Sequence, residues 1–529
     1  MNEEIELKLS LSPRDLDRLQ RSALVRSLAS RRASTKQLVS TYFDTPDQDL
    51  RRRGMALRVR HIGKKRVQTL KALADRAAGG LQHYREYEAE VGRDEPDLSL
   101  IDDSELQALF ASEEIAEHLE PVFTTRVARR CIPLQVDESE VELAIDRGEI
   151  ESDGRRLPIA EAELELLSGS PMRLYELALK LHDRIPFRLE RRTKAARGYG
   201  LKRDERPHPV KAGSVRLSPE MTTAEGFATA ARSCLAQVRA NELVVLSGDD
   251  PEGIHQLRVG VRRLRAVLGA FRRILDREVR DYLLSELQWL QQRLGPAREW
   301  DVFIHEAIEP IRAKRPDATS LAELQQSAEA ARSRGYRQAH RALTAGRYTA
   351  LMLRLELWLD EGGWLAGEAP DGKDKEGGKD KEGGKGSRPL IALAAKVLHR
   401  RDRKLRKLAE QHRELSEPEM HSIRIKAKQM RYSVEVFQSL YPAKLVKRQL
   451  LALEAIQDAL GSLNDAVVGR ELLDSLLRAE ARRDAARLEH LEAASEIVRN
   501  WQEERIVRDL KRFGASWKRY GKAKRYWEA

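Results

Sequence analysis

The chain is short of three things, and each shortage excludes something. Only two of its 529 residues are cysteine, Cys131 and Cys234, which leaves no disulfide framework or cysteine-rich metal site and points to a reducing compartment. No apolar run approaches the roughly 18 residues that a membrane-spanning helix needs. The opening Met1-Asn2-Glu3-Glu4-Ile5-Glu6 carries acids where a secretory leader is basic and then apolar, so the expected setting is the cytoplasm, with no membrane partner. Aromatics make up only 5% of residues, and the basic stretches lack interleaved rings on which bases stack, which disfavours nucleic acid as a partner.

What the chain has is charge. Lys and Arg number 96 against 84 Asp and Glu, a net +12 that attracts polyanions without naming one. The length exceeds what one core supports and predicts two to four domains. Up to about residue 200 the pattern has period two, with strand-like runs at 3–9, 55–61, 66–72, 84–91, 129–136, 141–147 and 161–167. That half reads as an antiparallel sheet or barrel, with helices at 13–30 and 171–183. Residues 201–221 hold Pro207, Pro209, Gly213 and Pro219 among charges and read as a linker. From about 222 onward, Ala, Leu, Arg, Glu and Gln at helical spacing predict an all-α half. It is interrupted at 367–388 by a hydrophilic tract, KDKEGG occurring at 373–378 and again at 379–384, which cannot bury a core and reads as a disordered loop.

The helical half is duplicated. Residues 166 apart match: His255 and His421, Arg258 and Arg424, Arg262 and Lys428, Arg265 and Arg431, Phe271 and Phe437, Leu294-Gly295 and Leu460-Gly461, Glu299 and Asp465. Two copies of one helical unit, about 222–366 and 389–520, predict a pseudo-twofold bundle. The fold class is multi-domain α+β.

Along the strands, charge alternates with apolar residues and sorts by sign. Glu4, Glu6 and Lys8 oppose Ile5, Leu7 and Leu9; Arg58 and Arg60 oppose Leu57 and Val59; Glu86 and Glu88 oppose Tyr87; Glu161, Glu163 and Glu165 oppose Ala162, Leu164 and Leu166. A solvated face mixes signs, whereas acid-only and base-only strands can face each other across a lumen. A phosphate chain held with a hard divalent cation needs both: carboxylates for the metal, Arg and Lys for the phosphates.

The opening Glu4-Ile5-Glu6-Leu7-Lys8 resembles the ExExK signature of the CYTH proteins, the triphosphate tunnel metalloenzymes. Tyr42-Phe43-Asp44-Thr45-Pro46, Leu57-Arg58-Val59-Arg60, Gln68-Thr69-Leu70-Lys71, Glu163 to Gly169 and Thr193 to Tyr199 extend the likeness, in order, to the inorganic triphosphatase branch. The resemblance implies an eight-stranded antiparallel tunnel over 1–200 that hydrolyses inorganic triphosphate with Mg²⁺ or Mn²⁺. It implies metal ligation by Glu4, Glu6, Asp146, Glu163 and Glu165, and phosphate contacts from Lys8, Arg58, Arg60, Lys71, Arg129, Lys194 and Arg197. Glu86 or Glu88 would orient water, and Lys8 and Lys194 would assist proton handling. One position departs: Tyr84 stands where the family usually has Arg, and by strand parity Arg85 points away from Glu86 and Glu88.

In the helical half, His255, Arg258, Arg262 and Arg265 share one helix face, and His421, Arg424, Lys428 and Arg431 share another. Like charges so spaced oppose helix formation, so an anionic ligand or inserted acids such as Glu299, Asp301 and Asp465 should compensate. These helices, over about 222–520, resemble the CHAD domain, which implies polyphosphate binding by the basic faces. The neighbours of each His are Arg and Lys, which argues against a zinc site. The expectation is thus a cytoplasmic triphosphatase, associated with polyphosphate granules and joined to a polyphosphate-binding domain. The alternatives are a scaffold that holds polyphosphate without cutting it, or an adenylate cyclase or thiamine triphosphatase of the same family. With both charge clusters on unlike architectures, the two halves are expected to be separable near residue 205.

Overall fold

The computed structural model describes residues 2–73, 80–112, 115–248, 250–362, 385–410, 416–481 and 484–528. Most of the tract expected to be a disordered loop, 367–384, lies outside them; Lys385–Ser387 form a short turn of 3-10 helix. The chain divides into two compact units, Met1–Arg206 with Thr344–Gly362, and Pro207–Leu343 with Gly363–Ala529. Among the described residues no helix is long and apolar enough to cross a membrane.

The first unit is built on β1 (Asn2–Ser10), β2 (Ser34–Asp44), β3 (Met55–Ile62), β4 (Lys65–Leu73), β5 (Gln82–Glu90), β6 (Glu120–Val136), β7 (Ser139–Ser152), β8 (Arg155–Ser168) and the two-residue β9 (Arg188–Leu189). Sheet order runs β5-β4-β3-β2-β6-β7-β8-β1, and β1 pairs back onto β5, so eight antiparallel strands close into a barrel; β9 lies beside β1. The usual polarity of a small barrel is inverted. Leu7, Leu9, Val141, Leu143 and Leu164 face outward and pack with Leu16, Leu177 and Leu181 of the helices Pro13–Gln20 and Met172–His182. Leu57, Val59, Leu70 and Tyr87 pack outward against Leu98, Ile101 and Phe110. The apolar sleeve leaves the alternate, charged positions to the lumen.

A helix, Lys194–Arg203, packs on the lumen face. Its Ala195 and Tyr199 cluster with Tyr42, Phe123, Val127, Ile150 and Ile159, and Tyr199 donates to Asp44 Oδ2 at 2.7 Å. Close approach requires Gly198, where a Cβ would stand 2.2 Å from the Phe123 ring. Sequence pattern missed this helix because Gly198 and Gly200 interrupt it. Its last residues also correct the linker expectation, since 201–203 are helical. From Pro207 on, the segment belongs to the second unit: Val210 exchanges two hydrogen bonds with the Asn241 side chain, 2.9 Å each, Leu217 donates to Ser439 Oγ at 2.8 Å, and Val215 and Leu217 are buried.

A second difference concerns Gly346–Glu361. Its chain position placed it in the first helical repeat, yet it belongs to the tunnel unit. Leu353, fully buried, joins the outer core; Tyr175 donates to Asp360 Oδ2 at 2.8 Å, and Thr349 Oγ1 to the Phe187 carbonyl at 3.2 Å. The expectation that residues 1–205 stand alone is therefore revised. Stripping this helix exposes apolar side chains worth about 1.5–3 kcal/mol each. A 1–205 fragment is expected to aggregate or melt without cooperativity, whereas the same fragment linked to 344–362 should unfold cooperatively by circular dichroism.

The second unit confirms the duplication. Helices Pro251–Ala270, Arg277–Phe303 and Thr319–Leu343 have counterparts Glu417–Phe437, Ala443–Ala459 with Gly461–Glu480, and Ala485–Gly521, whose first residues lie 166 positions later (251 and 417, 277 and 443, 319 and 485). Thr223–Ser247 and Leu390–Glu410 complete the pairs. Phe271 packs on its own counterpart Phe437, ring centroids 5.8 Å apart, as residues beside a twofold axis do. At Leu294-Gly295 the first copy runs straight on as one helix, while the second breaks at Leu460. Gly335 allows the crossing with the Arg277–Phe303 helix, since a Cβ there would lie 2.7 Å from the Ala297 backbone nitrogen.

Candidate functional site

The barrel encloses a cavity of about 400 Å³ lined by Glu4, Glu6, Lys8, Arg58, Arg60, Lys71, Glu86, Glu88, Arg129, Glu163, Glu165 and Lys194, together with Tyr42 and Tyr84. The register explains the grouping. Glu6 sits opposite Glu165 and Lys8 opposite Glu163 across β1 and β8; Arg129 sits opposite Asp146 across β6 and β7; Lys71 sits opposite Glu86 across β4 and β5. Two expected residues do not line the cavity. Asp146 is fully buried behind Arg129 and Lys194, and Arg197 is buried against Glu161.

Much of this charge is neutralised internally. Arg129 forks onto Asp146, Nε to Oδ1 at 2.8 Å and Nη2 to Oδ2 at 2.6 Å, and also reaches Glu163. Lys194 Nζ lies 2.7 Å from Asp146 Oδ2, 2.9 Å from Glu163 Oε1, and against Glu161. Asp146, Glu161 and Glu163 hold carboxylate oxygens within 4.8 Å of one another, a group with metal-binding geometry, but four cations, Arg129, Lys194, Arg197 and Lys8, already contact it. Burial alone would lower the Lys8 and Lys194 pKa values; the surrounding carboxylates outweigh it and raise both, so both ammoniums stay charged. Lys71 contacts Glu4 and, at 3.4 Å, Glu86.

Apart from Glu88, which is exposed and held by Thr69, two lining groups lack an ion-pair partner among the described residues, one of each sign. Glu165 has no cation within ion-pair distance among the described residues, and burial, then Glu4, Glu142 and Glu6, push its pKa up to about 7. Arg60 has no carboxylate partner among them either; its Nε donates to Ser40 Oγ at 3.1 Å, and burial, then Arg58 and Arg129, push it down to about 9. Uncompensated charge of both signs in one cavity suits an anion accompanied by a cation. Glu4, Glu6 and Glu165 offer the carboxylate oxygens that a hard divalent ion takes and carry surplus negative charge, although among the described residues only Asp146, Glu161 and Glu163 converge to within 4.8 Å.

Tyr84 occupies the interior position that parity gave it, with Arg85 exposed on the other face. Lys8 Nζ and Lys71 Nζ stand over its ring, 5.9 and 5.8 Å from the centroid. Burial holds its pKa up at about 12, so the phenol enters the cavity as a neutral donor between two ammoniums. Sequence reasoning passed over Tyr42, whose hydroxyl bonds Arg58: burial opposes its ionisation, but Arg58 and Arg60 lower its pKa. It also left Glu161 out of the site, although the shared strand face with Glu163 was a usable signal.

In the helical unit, a second cavity of about 420 Å³ is lined by His255, Arg258, Arg262, Arg424 and Lys428, with Arg298, Glu299, Asp465, Trp501 and Arg505. The two duplicated faces do meet. Burial and then Arg262 push Arg258 down to about 10; burial and then Arg424 push Lys428 to about 7; burial and then Arg298 push His255 to about 4, so this histidine is neutral. The remaining predicted residues lie outside: Arg265 bonds Gln291, Arg431 bonds Glu435 at 2.7 Å, and His421 is exposed. Asp301 serves the fold, holding Arg332 at 2.6 Å and Tyr336 at 2.9 Å.

The CYTH domain family matches residues 2–199 and the CHAD domain family matches residues 229–474. The chain is a CYTH–CHAD protein. A curated inorganic triphosphatase of Haemophilus influenzae is 30% identical over 203 residues, 38% of this chain, which span 55% of that relative's length. Among solved structures, a CHAD domain from the plant Ricinus communis is 27% identical with a TM-score of 0.49, covering 60% of this chain and 98% of its own. A putative adenylyl cyclase from Hippeastrum, described as having a dominant triphosphatase activity, is 24% identical with a TM-score of 0.28, covering 37% of this chain and 95% of its own. The CYTH match coincides with the barrel strands and the lumen helix; the CHAD match includes both faces of the basic cavity.

Proposed function

We propose that the CYTH tunnel hydrolyses inorganic triphosphate to pyrophosphate and phosphate with Mg²⁺ or Mn²⁺, and that the CHAD cavity binds longer polyphosphate. One observation carries the first reading: Glu165 and Arg60 lie in a single cavity without an ion-pair partner among the described residues, one of each sign. Glu4, Glu6 and Glu165 would hold the metal, which when bound supplies charge neutralisation to the phosphoryl oxygens. Arg58, Arg60, Lys71 and Arg129 grip phosphate oxygens, Arg60 at the least electrostatic cost because it has no carboxylate to release. Lys194 and Lys8, fixed as ammoniums, stabilise charge on the departing phosphate. Glu88, anchored by Thr69 Oγ1 at 3.0 Å, and Glu86, both lining the cavity, would orient water and accept its proton. Phosphate release from triphosphate, ATP, thiamine triphosphate and long polyphosphate, with Mg²⁺ or Mn²⁺, tests this. Preference for triphosphate supports it, preference for a nucleotide or thiamine ester moves the activity within the family, and no release from any leaves a binding scaffold.

The CHAD reading makes a prediction in pH. Lys428, held down near 7, must be charged to serve a polyanion, so binding takes up a proton. Polyphosphate affinity is expected to fall severalfold between pH 6.5 and 8.5, and Lys428→Arg should flatten that profile, as measured by titration calorimetry. The folding linkage has its own sign. A lysine depressed on folding binds fewer protons than in the unfolded chain, so its contribution to stability rises with pH from about 7 toward the ordinary lysine range.

A further inference from the structure

The side chain of Glu356 is 2% exposed, and its Oε1 lies 3.0 Å from Arg191 Nη2, within the tunnel unit. Neither residue lines the cavity. Arg191 belongs to the short segment that leads into the lumen helix and is pinned at each step. Arg188 and Leu189 pair with Ser10 and Leu9 of β1, Glu190 N–H donates to the Lys8 carbonyl at 2.9 Å, and the Arg191 carbonyl accepts from Gln82 Nε2 at 2.5 Å. Thr193 then caps the helix that begins with Lys194, accepting from Ala196 N–H at 2.9 Å. Glu356 also presses on Gly80, where a Cβ would lie 2.4 Å from its carboxyl carbon, two residues before Gln82. A carboxylate this buried depends on its contacts, of which the Arg191 guanidinium is one, and losing that contact carries a high cost.

We infer that Glu356, carried on the helix Gly346–Glu361, is a positioning residue for Lys194, acting through Arg191. The inference rests on the triphosphatase reading for its kinetic consequence, though not for its structural one. The helix thus does more than cover apolar surface: it fixes the segment that delivers an ammonium to Asp146, Glu161 and Glu163. Because it acts on the group that stabilises developing charge, its loss lowers kcat more than it raises KM.

The test uses the full-length protein and compares Glu356→Ala, Glu356→Gln, Arg191→Ala and the double alanine variant. Glu356→Ala is expected to lower kcat for inorganic triphosphate about tenfold with KM within about twofold. Glu356→Gln, which keeps an acceptor for Arg191, recovers most of the rate, and the double variant is no worse than Arg191→Ala alone. By hydrogen exchange with mass spectrometry, amides of 188–203 lose protection in Glu356→Ala while β6, β7 and β8 keep theirs. Unchanged kcat and unchanged exchange overturn the inference, as does a uniform loss of protection across the barrel, which marks a purely structural role. Should Glu356→Ala not fold, Glu356→Gln and Arg191→Lys carry the same comparison. A wild type that releases no phosphate from triphosphate removes the triphosphatase reading instead, and the exchange pattern still decides whether Glu356 pins 188–203.

Discussion

Replacing Glu6 or Glu165 with glutamine is expected to lower triphosphate turnover by about a hundredfold or more, because a neutral amide loses the charge that a hard divalent cation requires. The two residues face each other across β1 and β8, yet they differ in state. Glu6 already contacts Lys8, so its replacement leaves that ammonium with Glu163 alone among the described residues, 3.6 Å away. Glu165 has no such partner among the described residues, and its replacement removes the raised carboxyl whose proton must leave before a cation binds. The Glu165→Gln protein should therefore be at least as stable as wild type without metal and lose the Mg²⁺-dependent rise in melting temperature, read by thermal scans with and without Mg²⁺. In metal-free wild type, the raised Glu165 pKa contributes stability that is full below the ordinary carboxylate range and is lost as pH rises through about 7; the glutamine variant lacks that slope. Near-normal turnover in both variants would remove the metal assignment.

The second large effect concerns the CHAD cavity. Arg258→Glu, Arg262→Glu, Arg424→Glu and Lys428→Glu combined should abolish polyphosphate binding, since they exchange four cations on both duplicated faces for repelling acids. The wild-type affinity should fall steeply with added salt, while the variant should show no binding at any salt, with circular dichroism confirming its helices. Retained binding by the folded variant moves the polyanion site off this cavity. The cations there are already strained by one another: Lys428 is depressed by Arg424 and Arg262 in addition to its burial. Reversal exchanges that repulsion for repulsion among the new acids and with Glu299 and Asp465, which is why the folded state of the variant is checked directly.

Alternation carried the tunnel. Because Glu4, Glu6 and Lys8 share a strand parity, their common face could be read from the chain, and the same held for Arg58 with Arg60 and Glu163 with Glu165. Parity does not give pairing, so the neutralisation of Asp146, Glu161 and Glu163 by Lys194, Arg129 and Arg197 was hidden, and with it the isolation of Glu165 and Arg60. The strand Ser34–Asp44 escaped because its first half is exposed and polar on both faces, and β6 was seen only from Arg129 onward. The 166-residue repeat located the basic faces, but the face of a helix is a stripe and a cavity takes only part of it. His255, Arg258 and Arg262 enter; Arg265 and Arg431, farther along, turn to Gln291 and Glu435. Trp501 in the same cavity lies outside the duplicated basic motifs and had no signal in them. The assignment of Gly346–Glu361 to the tunnel depends on contacts across more than 160 residues, which no local pattern encodes.

That interleaving sets a schedule for synthesis. The ribosome completes residue 206 long before residue 361, and at about 5–20 residues per second the interval is roughly 8 to 30 s. Through that interval the nascent barrel has its strands and lumen helix but not Leu353 or Glu356, so part of its apolar sleeve is bare and Arg191 lacks its acid. The tunnel is the first unit to emerge, yet it cannot finish until the first part of the second unit has been made. Its maturation waits on the passage of the first helical repeat, which makes the early chain a client for whatever shields exposed hydrophobic surface at the ribosome, and leaves the completed tunnel to appear only after that repeat is made.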